Sequence, residues 1–560
     1  MQISNKEIVR SLKLLGQLME LHEENPFKVK SINNAAFKLG KYAETLADKS
    51  TAELSAIEGV GKSVAAKIEE LINTSKIEEL ETLKSQTPEG VIEMMGIKGL
   101  GPKKIQIIWK SLEIETIGEL YYACIENRLV EAKGFGLKTQ EEIKKLIEFN
   151  FSNRGSLLLS NALQLDQELN ALMQQIDSNI RLEKTAELAR NCEVITRLEF
   201  LANEKYKEQI QQALNNDLLF PIQKIENNSL EAESLAGSKV YVHFYSDSNY
   251  YQVKFRLDAT AEHLGKLATI NNDLISNLPN QTDREIYEAL NIAYIPVMMR
   301  EGLNEIEYAQ KNSIRTLIQD EDLKGSLHNH STWSDGIHSL EEMANYCEEL
   351  GYQYLGICDH SKSAFYANGL NEIRLIAQHK EIDALNAKNK NFHIFKGIES
   401  DILNDGSLDY SDEVLKTFDF IVASIHSNLK MDEEKANKRL LKAIENPYTT
   451  MLGHPTGRLL LSRKAYPINH TMIIDACATN NVAIEINANP LRLDLDWRWV
   501  DYALNKGVFL SINPDAHKKE GYHDMRYGVM VAQKGGLSKE FCLNAFEKDQ
   551  LSEYFKSKNK

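Results

Sequence analysis

The chain has 560 residues, too many for one hydrophobic core, and its 42% hydrophobic and 26% charged residues exclude a disordered or fibrous protein. A net charge of −16 argues against nonspecific nucleic-acid binding by the surface as a whole, and no apolar run approaches the ~20 residues of a membrane-spanning helix. The six cysteines, Cys124, Cys192, Cys347, Cys358, Cys477 and Cys542, form no CxxC pair, and the first residues lack a signal-peptide core, so a reduced cytoplasmic setting is expected.

Residues 1–150 are close to charge-neutral and read as a helical domain. The chain opens on an amphipathic pattern, and three similar turns follow: Gly59-Val60-Gly61-Lys62, Gly99-Leu100-Gly101-Pro102-Lys103-Lys104 and Gly134-Phe135-Gly136. Each precedes a helix-like run, SVAAKIEELI, KIQIIWKSL or TQEEIKKLIEF. Glycines permit a tight turn, and the N–H groups opening the next helix can hold a phosphate. These turns resemble the helix-hairpin-helix element. The resemblance implies that Gly59, Gly61, Lys62, Gly99, Gly101, Lys103, Lys104, Gly134 and Gly136 contact the DNA backbone without reading sequence.

Residues 151–320 read as a mixed α/β core. VYVHFYS and YQVKFRLDA are predicted strands, and KYKEQIQQALNN and DREIYEAL are predicted helices. The run Asp283-Arg284-Glu285-Ile286-Tyr287-Glu288-Ala289-Leu290, with Ile295-Pro296 and Arg300-Glu301-Gly302 after it, is similar to the end of the polymerase core in bacterial family X DNA polymerases with a C-terminal PHP (polymerase and histidinol phosphatase) domain. That family binds the nucleotide triphosphate at a Gly-Ser turn and two Mg²⁺ ions on an Asp-x-Asp pair plus a third Asp. Here the matching positions are Ala186-Glu187 and Arg197-x-Glu199, and the third carboxylate is expected within Tyr251–Arg256, which has no acid. One carboxylate beside an arginine cannot hold two divalent cations, so the core reads as a catalytically degenerate palm and thumb. The Gly155-Ser156 and Gly237-Ser238 pairs are not followed by Asp-x-Asp, and Asp166 and Glu168 lie in a helix-like run where residues two apart do not share a face. Lys67 stands where the family has a lyase-pocket lysine, and it reads as a surface lysine.

Residues 321–560 alternate short apolar runs with helical patterns, which predicts an α/β barrel-like domain. The apolar runs end in His328, His330, Asp335, His360, Glu399, His426, His454, Asp515 and His517. Such barrels place their chemistry at the C-terminal ends of the strands. Nine ligand-type side chains exceed the needs of one ion, so two or three divalent cations are expected, Mn²⁺ and Zn²⁺ first. Such a cluster can bring the pKa of a bound water to near ~7. His338, His379, His393 and His470 are assigned to packing.

The order of motifs resembles the PHP superfamily, which implies a distorted (βα)7 barrel. The resemblance groups His328, His330, Glu399 and Asp515 on one ion, Glu399, His426 and His454 on a second, and Asp335, His360 and His517 on a third, with the first group at the catalytic centre. Arg458 and Arg492 are candidate phosphate ligands, with Arg463 and Lys464 on the same loop as Arg458. The expected function is a metal-dependent 3′-to-5′ exonuclease of DNA repair. A monomer is expected, acting on gapped, nicked or 3′-ended DNA with no membrane partner. The alternatives are an active gap-filling polymerase with PHP proofreading, a histidinol-phosphate-like small-molecule phosphatase, and a non-enzymatic DNA scaffold.

Overall fold

Ser4 starts the first helix, Asn5–Leu21, through a capping box: its side chain accepts from the Glu7 N–H, and the Glu7 carboxylate accepts from the Ser4 N–H. The structure, a computed structural model, describes residues 3–558 except 131, 152–154, 217–220, 227 and 234–238. The Gly237-Ser238 pair lies outside the described residues. The chain forms two compact units, Met1–Glu148 and Phe149–Lys560.

The first unit is helical among its described residues. Its three hairpins join Thr51–Ala56 to Lys62–Thr74, join Glu89–Met94 to Pro102–Gln106, and lead into Leu137–Phe151. The first glycine of each turn is left-handed, with φ +86° at Gly59, +92° at Gly99 and +87° at Gly134. Pro102–Gln106 continues as a π-helical turn, Ile107–Ser111.

The second unit begins with β1 (Leu157–Leu158), which pairs antiparallel with β3 (Val194–Ile195). Strands β2 (Glu183–Lys184), β4 (Leu198–Asn203), β5 (Ile222–Ile225), β6 (Ser229–Glu233) and β7 (Lys239–Tyr245) form a five-stranded sheet in the order β2-β4-β7-β6-β5. VYVHFY is a strand as expected, with alternate residues buried. YQVKFRLDA is not: Tyr250–Leu257 is a helix that buries Phe255. Strand β4 lies between β2, paired antiparallel, and β7, paired in parallel.

The remaining strands are β8 (Gly325–Ser326), β9 (Tyr354–Ile357), β10 (His393–Asp401), β11 (Phe420–Ser424), β12 (Met451–Leu452), β13 (Ala483–Asn487) and β14 (Leu510–Asn513). They form one parallel sheet in sequence order, and a parallel bridge between Asn329 and Ala516 links its two edges into a nearly closed barrel. Strands β9, β11, β13 and β14 are buried throughout, as parallel strands covered by helices must be.

The five-stranded core and the barrel pack together within one unit. The Trp497 indole N–H donates to Glu193 Oε2 at 2.8 Å, and Arg498 Nη1 reaches Glu193 Oε1 at 2.8 Å. Lys534 is buried, with its ammonium donating to Arg190 O at 3.0 Å and to the Glu301 carboxylate. The junction expected near residue 320 is thus closed by buried polar contacts rather than bridged by a loose linker.

Candidate metal centre

Each ligand-type residue singled out in the barrel lies in or just beyond the C-terminal end of a strand. His328, His330 and Asp335 follow β8, His360 follows β9, Glu399 is in β10, His426 follows β11, His454 follows β12, and Asp515 and His517 follow β14. The structure brings all nine together. Glu399 Oε1 is 3.0 Å from His426 Nε2, 3.0 Å from His454 Nε2 and 3.3 Å from His328 Nε2. Its other oxygen is 3.0 Å from His360 Nδ1 and 3.7 Å from His330 Nε2. Asp335 lies 3.5 Å from His360 and 3.4 Å from His517, and Asp515 lies 3.0 Å from His330. The backbone is left-handed at Asp515, φ +54°, a conformation that non-glycine residues adopt mainly where surrounding structure enforces it.

Charge in this pocket is strongly coupled. Burial opposes ionisation of Glu399, yet the imidazoles of His426, His328 and His360 hold its carboxyl well below the usual range. Asp515 is held low in the same way, against burial, by His328 and His330. Burial alone would lower the pKa of His426, but Glu399 and Asp401 push it up to about 9. Burial, reinforced by His517 and His360, pushes His330 down to about 3.

These residues fit divalent cations. His328 Nε2, His330 Nδ1, His360 Nδ1 and Glu399 Oε2 are buried and make no hydrogen bond, although they face one another's groups. Unpaired nitrogen and carboxylate lone pairs converging in a dry site are costly unless a cation takes them. Three sets have ligand atoms close enough to share an ion: His330, Asp335, His360 and His517; His328, His330 and Asp515; and His360, Glu399 and His426. The geometry adds His330 to the expected third set and places His360 with Glu399 and His426.

Sequence reasoning missed the residues behind the ligands. The His328 ring, through Nδ1, lies 2.7 Å from Glu485 Oε1, and the other oxygen of Glu485 accepts from the His454 N–H at 2.8 Å. His426 Nδ1 lies 2.6 Å from Asp401. Asp359 accepts from the Ser331 N–H and the Ser334 side chain, fixing the loop between His330 and Asp335. Such partners set the tautomer and aim of a ligand imidazole. The signals were present: VAIEINAN carries an acid inside an apolar strand, and Asp401 stands two residues after Glu399, on the same strand face.

The two arginines differ. Arg458 donates to Arg492 O at 2.9 Å, to Asp496 at 2.5 Å and to Leu493 O, so its guanidinium braces the loop, contrary to the expected substrate role. Arg492 is buried beside the cluster, where its charge adds to burial in holding down the pKa of His454. Arg463 donates to Gly457 O, and Lys464 is exposed. The histidines assigned to packing behave so: His470 stacks on Trp499, His379 meets the Phe418 edge, His393 meets the Phe395 edge, and His338 Nδ1 accepts from the Lys519 N–H.

In the helical unit, an added Cβ at Gly61, Gly99, Gly101, Gly134 or Gly136 would meet nothing within 4 Å. Gly61 and Gly101 are the N-cap residues of their helices, followed by Lys62 and by Pro102, Lys103 and Lys104, and no side chain caps either first turn. At Gly59, an added Cβ would meet Lys38 at 3.1 Å. Lys67 is ion-paired with Glu79.

The polymerase-like positions are closed on themselves. Glu187 accepts from the Thr196 N–H at 2.6 Å and the Arg197 N–H at 3.2 Å. Arg197 lies over the Tyr241 ring at 4.1 Å and 3.5 Å from Glu199. Strand β7 offers Tyr241 and His243 opposite β4 and no carboxylate.

Comparison with known proteins agrees with this layout. The helix-hairpin-helix domain family matches residues 3–77, a SAM-like helix-hairpin-helix tandem matches 91–146, and the PHP domain family matches 326–489. The chain is 34% identical over 559 residues to the DNA polymerase/3′-5′ exonuclease PolX of Bacillus subtilis (strain 168), covering 96% of this chain and 97% of that protein. Part of the chain is similar to smaller proteins. It is 25% identical over 244 residues to a probable phosphatase of Thermoanaerobacter sp. (strain X514), covering 42% of this chain and 94% of that protein. It is also 27% identical over 238 residues to a probable phosphatase of Clostridium botulinum (strain Langeland), covering 40% of this chain and 88% of that protein.

Proposed function

This chain belongs to the bacterial family X DNA polymerases that carry a C-terminal PHP domain, and from that premise we propose that its working centre is the barrel's metal site, trimming DNA from the 3′ end, while the polymerase-like core is silent. One contrast carries the reading. Nine ligand-type side chains come together in the barrel, five of them imidazoles within 3.7 Å of Glu399, whereas Glu199 in the core is paired with His243 and Arg197.

His328, His330, Asp335, His360, Glu399, His426, His454, Asp515 and His517 would hold two or three cations, Mn²⁺ or Zn²⁺ first. Such cations neutralise phosphate oxygens and activate water at neutral pH. The chain's own residues do the rest. Glu485 and Asp401 orient His328 and His426. Arg492 adds a positive charge beside His454 for a substrate phosphate. The barrel wall keeps bulk water from the carboxylates, which are at most 4% exposed at Glu399 and Asp515. The hairpins hold the DNA backbone through helix starts that no side chain caps and through lysines, without sequence preference. We read the protein as a cytoplasmic monomer acting on gapped, nicked or 3′-ended DNA. No helix among the described residues is long and apolar enough to cross a membrane.

The test uses the full chain with Mn²⁺ and labelled single-stranded, gapped and abasic DNA, with His330→Ala as control. Shortening from the 3′ end that is lost in His330→Ala supports the reading, and unchanged cleavage by that variant overturns the site. Primer extension on gapped DNA, run alongside, tests the core: nucleotide incorporation defeats the silent-core assignment. Turnover of small phosphomonoesters with no action on DNA favours a phosphatase instead.

A further inference from the structure

Phe365 is 87% exposed, more than any other large apolar side chain among the described residues. It lies on the short turn Phe365–Ala367, which follows the ligand-type residue His360. Two further apolar side chains on the same stretch are turned to solvent: Ile373 at 80% and Ile376 at 59%, one helical turn apart on one face of Glu372–Lys388. The next residue after Phe365, Tyr366, places its ring 6.3 Å from the His360 ring. Ile337, two residues after Asp335, is also exposed, and its N–H donates to His517 O at 2.9 Å. An apolar rim thus stands on the loops that carry Asp335 and His360.

This rim is not loose. Leu370 pairs with Ser361 across the base of the loop. Arg374 donates to Asn368 O at 2.6 Å and to Trp333 O, tying the Phe365 turn to the residues just before Asp335. Asn368, left-handed at φ +53°, reaches Ser334 O at 3.4 Å. The Ser363 N–H donates to Asp409, and the Ser363 hydroxyl to Asp401, which also contacts His426. The backbone under Phe365 is therefore fixed by groups that also fix the ligand-type residues, while its ring stands in solvent. A large aromatic held in water costs apolar hydration, and rigid presentation keeps the ordering entropy of a bound group low.

We propose that Phe365, with Tyr366 next to it in the turn, is a stacking ledge for the unpaired base of the nucleotide at a DNA 3′ end. The inference rests on the nuclease reading of the adjacent site. A nucleobase is the one part of a DNA substrate with an apolar π-face, and the cluster beside the ledge is built for the phosphate joined to it. Stacking on an aromatic ring tolerates any base, which suits an enzyme that removes nucleotides one after another. A paired base already has its faces covered within the duplex, so the ledge selects frayed, mismatched or single-stranded ends.

The experiment measures both binding and cleavage on the full chain. A single-stranded oligonucleotide carries 2-aminopurine as its 3′-terminal base, with a phosphorothioate at the terminal linkage to block hydrolysis. Stacking quenches its fluorescence. The native protein is expected to quench it, Phe365→Ala to lose most of the quenching, and Phe365→Trp to restore it, while Phe365→Leu, which is apolar but not aromatic, does not. In steady-state cleavage, Phe365→Ala should raise KM for the normal oligonucleotide about tenfold with kcat little changed. It should have no effect when the 3′-terminal nucleotide is abasic, because removing base and ring together should cost no more than removing either alone. Equal losses on normal and abasic ends, or full quenching by Phe365→Ala, overturn the ledge. Quenching without any cleavage by the native protein would keep the ledge and defeat the nuclease reading. Cleavage without quenching would do the reverse.

Discussion

Glu199 and His243 face each other across the parallel strands β4 and β7, Oε2 to Nε2 at 2.7 Å. Burial raises the Glu199 carboxyl, but the hydrogen bond from His243 and the charge of Arg197 outweigh it and hold the pKa low. The carboxylate is therefore ionised and already paired. Replacing His243 by Leu leaves it mostly buried without its donor, which should cost about 1–3 kcal/mol in urea unfolding of the second unit. Trimming of DNA 3′ ends should be unaffected. A loss of trimming with unchanged stability would mean that this pair takes part in the reaction.

Glu399 is the hub of the barrel site, within 3.3 Å of His328, His360, His426 and His454. Glu399→Gln keeps the volume and removes the charge that the surrounding imidazoles face. Elemental analysis of the purified protein should show fewer bound metal ions per chain. Cleavage should fall by more than the ~10–100-fold typical of a change behind the ligands.

Asp401→Asn tests that second rank. Its carboxylate fixes the His426 ring through Nδ1 at 2.6 Å, and the amide keeps the shape without the charge. Metal affinity measured by chelator competition should weaken about 10–100-fold, with excess Mn²⁺ restoring most of the cleavage rate. Failure of excess metal to restore activity would give Asp401 a more direct part.

His263 sits buried between Glu305, 2.8 Å from Nδ1, and the Tyr287 hydroxyl, 2.8 Å from Nε2. A neutral ring satisfies both, donating to Glu305 and accepting from Tyr287. Burial lowers the His263 pKa, outweighing the opposing pull of Glu305, and Glu305 itself is held below its ordinary value by His263 despite burial. Both groups thus bind protons more readily when unfolded, so both contribute stability that is lost on acidification. For His263 the loss begins as pH falls through the unfolded value near ~6.5, and for Glu305 it begins near ~4.3. Melting temperatures between pH 8 and 5 should fall more steeply in the native protein than in His263→Gln.

Lys534 carries a buried ammonium whose partners, Arg190 O, Met298 O and the Glu301 carboxylate, all come from the core. Lys534→Met removes the charge and leaves Glu301 to Arg190, whose Nε lies 3.0 Å away. The cost should be about 2–3 kcal/mol, less than the ~3–5 kcal/mol of a buried partner left wholly uncompensated. Denaturant unfolding followed by tryptophan fluorescence measures it, because the Lys534 ammonium lies 4.4 Å from the Trp497 ring.

The barrel was legible because parallel strands buried on both faces read as apolar runs, and polar side chains at their ends stand out against them. His328 and His330 share a side by their spacing alone. Glu485 escaped notice because it lies within such a run, where a lone acid looks like an interruption rather than the support of His328 and His454. The run YQVKFRLDA reads as a strand because its bulky and polar residues alternate, and only the core pocket for Phe255 decides for the helix Tyr250–Leu257. The role of Arg458 was hidden for a different reason: its partners are mostly carbonyl oxygens of residues 492 and 493, which every sequence possesses.

The loop that carries Arg492 runs on to Trp497 and Arg498, and both of these donate to Glu193 on the far side of the junction. The two-stranded sheet β1–β3, which Glu193 adjoins, is therefore part of the scaffold of the barrel's rim. Natural selection acting on the rim preserves that sheet whether or not it still builds DNA. A deletion that excised the whole segment would take the rim's footing with it.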